Sequence, residues 1–139
     1  MAIQRFLFNI ASDQIELTAG FYCEVFGFKV ILRNEDWYIQ LASPLNQNLQ
    51  FGVIRRTYAF LPTHLQALPQ GVIFTIQVDD VEAIYKTIVE RGHPIVQDIR
   101  DEDFGQRHFL MRDPNGLIVN VSMPIPMSGR FASSKTLQA

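Results

Sequence analysis

Residues 76–92 read IQVDDVEAIYKTIVERG, and this stretch decides the fold. Ile76 and Val78 complete an alternation that runs back through Phe74 to Val72, which is the period of a half-buried strand over residues 71–78. Asp79 and Glu82 stand at the spacing of a capping box, where one side chain serves the free N–H groups of a helix start and the other reaches back. Val81, Ile84, Tyr85 and Ile88 then recur at helical spacing and give one buried stripe. Gly92 stops the helix and Pro94 prevents its resumption.

The same signals occur earlier in the same order. Residues 4–10 (QRFLFNI) form an aromatic, apolar run with strand character. Asp13 and Glu16 repeat the capping spacing, and Ile15, Ala19, Tyr22 and Phe26 repeat the stripe. Gly27 repeats the stop, a position where a left-handed backbone costs glycine nothing. The offset is about 65 to 70 residues, half the chain, so a βαβββ unit written twice is the economical reading. Residues 28–32, 37–42 and 49–55 complete the first copy as strands, and residues 95–99, 107–112 and 117–123 complete the second. Asp113-Pro114-Asn115-Gly116 spells a tight turn, since proline presets φ and Asn-Gly accepts positive φ. The expected organisation is a first module over 1–57, a linker over 58–70 with Pro62 and Pro69 and a short helical turn within 63–68, and a second module over 71–127. Pro124 and Pro126 end regular structure, and a mobile polar tail follows over 128–139. Together these make one compact α+β domain.

The bulk properties narrow the function. At 139 residues, 47% hydrophobic and 19% charged, the chain has enough apolar side chains for one core. A net charge of −2 with scattered basic residues gives no footprint for nucleic acid or an anionic membrane. A single cysteine, Cys23, forms no intrachain disulfide and suits a reducing compartment. The first residues lack the apolar core of a signal peptide, and no run reaches the length of a membrane span. A cytoplasmic protein is expected.

Three segments carry a resemblance. FYCEVFGFKV (residues 21–30), IQVDDVEAIYKTIVERG (76–92) and FGQRHFLMRDPNG (104–116) resemble the vicinal oxygen chelate superfamily, which includes glyoxalase I, extradiol dioxygenases, fosfomycin-resistance proteins and bleomycin-resistance binding proteins. The likeness runs in order over residues 3 to 123. It implies paired βαβββ modules forming a U-shaped, cup-like mixed sheet around a cavity, often completed in a homodimer. It also implies where metal ligands stand in the metal-dependent members: early in the first strand of each module, usually His or Gln, and in the last strand, usually Glu. Carried over, these positions fall on Leu7 (or Phe6), Gln50, Ile73 and Asn120.

That set departs from the family pattern. Leucine and isoleucine offer no lone pair, and amide oxygens ligate hard cations weakly and normally beside carboxylates. A Lewis-acid site for Zn²⁺, Ni²⁺ or Fe²⁺ needs His, Cys or carboxylate donors. Slipping the first strand by one or two residues reaches only Arg5, Phe6, Phe8 or Asn9, and in the second copy Val72, Phe74 or Thr75. No cofactor is expected, with a divalent metal as the alternative.

Among the remaining groups, His64 and His93 read as linker and turn residues. His108 lies on a strand facing the expected cavity, shares a face with Gln106, Leu110 and Arg112, and is the one candidate for general acid/base work. Cys23 reads as a small buried helical side chain. Asp101, Glu102 and Asp103 read as a solvated acidic loop. Trp37 and Tyr38 point to opposite faces of a strand, so one of them should face the cavity, and Phe104 stands at its mouth. Aromatic walls with Gln50, Asn120 and Arg107 as polar anchors suit a planar or amphiphilic molecule. The sequence thus favours a metal-independent small-molecule binding protein. The alternative is a glyoxalase- or dioxygenase-type enzyme with a non-standard or metal-free site.

Overall fold

The structure is a computed structural model and describes residues 2–132, so most of the expected tail (residues 133–139) lies outside the described residues. The elements run β1 (Asn9–Ser12), α1 (Ile15–Phe26), β2 (Lys29–Asn34), β3 (Tyr38–Ala42), β4 (Gln50–Arg55), a 3₁₀ turn (Thr63–Leu65), β5 (Ile73–Gln77), α2 (Val81–Glu90), β6 (Ile95–Glu102), β7 (Gln106–Arg112), β8 (Ile118–Pro124) and a second 3₁₀ turn (Gly129–Phe131). They build two four-stranded sheets of the same topology, β1-β4-β3-β2 and β5-β8-β7-β6. In each, the first strand lies parallel to the last and the other pairings are antiparallel. The tandem βαβββ reading holds. The chain divides into two compact units, residues 2–72 with Asp113–Leu117, and Ile73–Arg112 with residues 118–132.

Strand alternation sorts each sheet into a helix-covered face and an open face. In the first unit Ile10, Ile39, Leu41, Phe51 and Val53 are buried on the side of α1, where the Tyr22 and Phe51 rings meet edge to face at 5.0 Å. In the second, Phe109, Met111, Val119 and Val121 are fully buried on the side of α2, where Tyr85 meets Phe109 at 5.2 Å. Each such side chain contributes roughly 1.5–3 kcal/mol on burial.

Two local expectations are corrected. The first strand begins at Asn9 rather than Gln4, and Phe6 is 81% exposed. A parallel strand needs a partner, and β4 starts only at Gln50. Asn9 pairs with Gly52, so two residues back Leu7 comes level with Gln50; Phe8 O still accepts from Gly52 N at 2.9 Å, but residues 4–6 lie ahead of the first residue of β4. The first capping box does not form. Gln14 is the N-cap without a side-chain bond, while Asp13 is drawn to Arg56 at 2.8 Å and Glu16 to Arg33. In α2 the cap is Asp80, whose carboxylate accepts from Ala83 N at 3.1 Å, and Glu82 pairs with Arg107 instead. Ser128 to Ala132, where the polar tail was expected to open, makes contacts with the loop after β6. Ser128 N donates to Asp103 O at 2.8 Å, its hydroxyl donates to the Asp103 carboxylate at 3.0 Å, and Phe131 meets Phe104 edge to face at 6.0 Å.

The Asp113-Pro114-Asn115-Gly116 turn forms as expected, with Gly116 N donating to Asp113 O and Gly116 at φ 83°. Its place in the first unit was not anticipated. Asp113, 5% exposed, accepts from Asn115 N at 2.7 Å, Leu117 N at 3.0 Å and the Tyr22 hydroxyl at 2.8 Å. Burial first, and then the Asp113 charge, pushes the Tyr22 phenol far up.

Candidate ligand-binding site

On the open face of the first sheet, register pairs Gln40 with Gly52, Asn9 with Gly52, and Ala42 with Gln50. The polar groups there form a chain. The Tyr38 hydroxyl donates to Gln40 Oε1 at 3.3 Å, Gln40 Nε2 donates to Gln50 Oε1 at 2.6 Å, and Gln50 Nε2 donates to Gln47 O at 2.7 Å. Arg5 adds a longer bond to Gln50 Oε1 at 3.4 Å. Burial raises the Tyr38 phenol, opposed by the Arg5 charge. Gly52 leaves room for the row, since a Cβ would stand 2.1 Å from Asn9 Oδ1 and 2.4 Å from the Tyr38 hydroxyl. Trp37 lies in the turn before β3 and stacks on Tyr58 at 4.1 Å, outside this row.

The open face of the second sheet carries a matching network. Asn120 pairs with Leu110 and Thr75, and His108 with Ser122. His108 and Asn120 are 7% and 9% exposed. His108 Nδ1 lies 2.7 Å from Asn120 Oδ1, and Nε2–H donates to Glu102 Oε2 at 2.9 Å. Asn120 Nδ2 donates to Thr75 Oγ1 at 3.2 Å and to Gln106 Oε1 at 3.4 Å. The bond from His108, and then that from Arg100, holds the Glu102 carboxyl below its ordinary range. Both ring nitrogens of His108 are occupied, so neither points free toward a substrate. Ile73 shares this face but pairs with Ile118, two residues before Asn120.

Arg107, expected as a polar anchor, lies on the other face of β7, because alternation sends it opposite to Gln106 and His108. There it is bonded to Asp101 at 2.7 Å and to Glu82 at 3.0 Å. These carboxylates raise its guanidinium further, and Arg107 lowers Asp101 in return. The acidic run is thus engaged rather than merely solvated, with Asp101 and Glu102 inside β6.

Beside this network is a recess of about 600 Å³. Its polar floor is Gln77, Gln106 and Ser122, and Phe104, Pro126 and Met127 stand among its walls. The chain after β8 crosses here, with Ile125 N donating to Gly105 O at 3.0 Å. Gly105, at φ 98°, permits the crossing, since a Cβ would come 3.0 Å from Ile125 O and Met127 Cγ. Of the residues expected to bind ligand, only Phe104 lines the recess. The others fall in the first-unit row (Leu7, Tyr38, Gln50), in the His108 network (Ile73, His108, Asn120), or elsewhere (Trp37, Arg107). Gln106 was within reach of the alternation rule, whereas Met127 and Pro126 sit in a segment whose sequence shows only an interruption of regular structure.

The metal-ligand positions do not fit a metal. In the first unit Leu7 has no donor atom, and Gln50 Oε1 already accepts from Gln40. In the second Ile73 has none, and Asn120 Oδ1 faces His108. Among the described residues no three His, Cys, Asp or Glu side chains converge as ligands would.

A sequence model of the Glyoxalase/Bleomycin resistance protein/Dioxygenase superfamily matches residues 3–121. No curated protein matches the chain. Solved structures with the same fold include a hypothetical protein from S. aureus, with a TM-score of 0.71 at 22% identity over 88% of this chain and 95% of that one. A glyoxalase/bleomycin resistance protein/dioxygenase family enzyme from Burkholderia phytofirmans PsJN gives 0.74 at 16% identity over 86% and 97%. Lactoylglutathione lyase from Agrobacterium tumefaciens gives 0.66 at 15% identity over 88% and 95%. At these identities the likeness is one of fold.

Proposed function

The chain belongs to the Glyoxalase/Bleomycin resistance protein/Dioxygenase superfamily, and from that premise we propose that it is a metal-independent binding protein that sequesters or carries a small aromatic or amphiphilic molecule. One observation carries the reading: the recess beside β5, β7 and β8 joins an apolar wall to a floor of hydrogen-bonding side chains, in the volume range of small-molecule sites. The donor set supports independence from metal, because the last-strand amides are spent on internal bonds and the first-strand positions are aliphatic. The lyase activity named for the Agrobacterium relative would need an acid/base or Lewis-acid group here. His108, the nearest candidate, has both nitrogens engaged by Asn120 and Glu102.

The proposal includes a cytoplasmic homodimer, as superfamily members often dimerise. Among the described residues no helix is long and apolar enough to cross a membrane, and the near-neutral charge supports neither a nucleic-acid nor a membrane partner. The test pairs binding with turnover. Titration with N-phenyl-1-naphthylamine is expected to saturate near one dye per chain. Incubation with the methylglyoxal–glutathione hemithioacetal or with catechol, with and without added Zn²⁺, Ni²⁺ or Fe²⁺, is expected to give no product. Turnover of either substrate overturns the proposal.

A further inference from the structure

The ligand's charge is legible in the recess. Its polar groups are the amides of Gln77 and Gln106 and the hydroxyl of Ser122, and among the described residues no side chain lining it is ionisable. Of the charged groups close by in sequence, Asp101 is paired with Arg107 and Glu102 with His108 and Arg100, Asp103 accepts from the Ser128 hydroxyl, and Arg130 lies over the Phe131 ring at 4.7 Å. A charged ligand entering here would lose water and find no counter-charge among the described side chains that line the recess, whereas an uncharged one would lose little. The amides offer both a donor and an acceptor, the pairing wanted by a neutral amide, carbonyl or hydroxyl group. Met127 and Phe104 offer a deformable apolar wall for an aromatic body.

We infer that this recess selects an uncharged aromatic molecule carrying a neutral hydrogen-bonding group and rejects its ionised analogues. The inference rests on the reading of the recess as the binding site. Two dyes test it, since N-phenyl-1-naphthylamine and 1-anilinonaphthalene-8-sulfonate share a skeleton and differ by one sulfonate. The neutral dye is expected to bind saturably and at least about tenfold more tightly, in line with the cost of an unpaired charge. Gln77→Lys, a change at an exposed position, should close most of that gap by supplying a cation. Met127→Trp, which fills the recess, should weaken the neutral dye at least about fivefold. Binding of both dyes to the unchanged protein within about threefold of each other overturns the selectivity and leaves the binding site standing. Undiminished binding of the neutral dye to Met127→Trp puts the dye elsewhere and overturns the inference. Saturable binding of neither dye overturns the reading on which it rests.

Discussion

Tyr22→Phe removes one oxygen from a buried cluster, and its cost follows from the donors that remain. Asp113 is almost fully buried, and the groups of the described residues that donate to it are all neutral. One carboxylate oxygen accepts from Asn115 N and Leu117 N. The other accepts from the Tyr22 hydroxyl at 2.8 Å and more weakly from Asn115 Nδ2 at 3.3 Å. Removing the hydroxyl leaves that second oxygen with the long bond alone, where little water can reach it. A hydrogen bond to a charged group is worth about 1.5–3 kcal/mol, and the expected loss for Tyr22→Phe lies in that range. Asp113→Asn should cost at least as much, because an amide N–H then faces other donors. The double variant should lose less than the sum, with a coupling of about 1–2 kcal/mol. Urea denaturation followed by fluorescence reads all three values, with the midpoint shifted and the slope kept. A loss below about 0.5 kcal/mol for Tyr22→Phe, or strict additivity in the double variant, refutes the reasoning.

Other outcomes follow from the same geometry. Asp80→Ala should destabilise by about 1 kcal/mol as an N-cap loss, while Asp79→Ala should stay within about 0.5 kcal/mol, read by the same denaturation. Asn120→Leu should cost about 1–3 kcal/mol by leaving buried His108 Nδ1 without its partner. Gly52→Ala should cost about 1–3 kcal/mol by forcing Tyr38 and Asn9 aside, and Tyr38→Ala in that background should recover part of it. The Glu102 carboxyl is depressed in the folded state, so its contribution is full above its unfolded value of about 4.3 and fades as pH falls below it. Glu102→Gln should therefore flatten stability against pH on the acid side, and an unchanged slope there would contradict the His108–Glu102 bond.

Much of this architecture was legible because its signals are local. The stripe of α2, the glycine stops and the Asp113–Gly116 turn each depend on residues a few positions apart. What failed depended on distant partners. Residues 4–6 have strand chemistry, but β4 supplies no strand partner ahead of Gln50. Glu16 and Glu82 have capping positions, but Arg33 and Arg107 compete for them. Adjacent Asp79 and Asp80 made the cap ambiguous by one residue. The site was less legible for the same reason. The engagement of His108 joins Glu102 and Asn120 from two other strands, and the recess needs Met127 and Ala132 to meet residues near Phe104. Arg107 lies on the face opposite to His108, bonded to Asp101 and Glu82, and the alternation that puts His108 on the open face already implies that placement.

Metal content distinguishes a metal-independent protein from a metal-dependent one. Protein purified without a metal-affinity tag would be incubated with Zn²⁺, Ni²⁺, Mn²⁺ and Fe²⁺, desalted and analysed by elemental mass spectrometry. No metal is expected to be retained in proportion to chain, whereas retention near one ion per chain would contradict metal independence and return the protein to the metal-dependent branch of its superfamily.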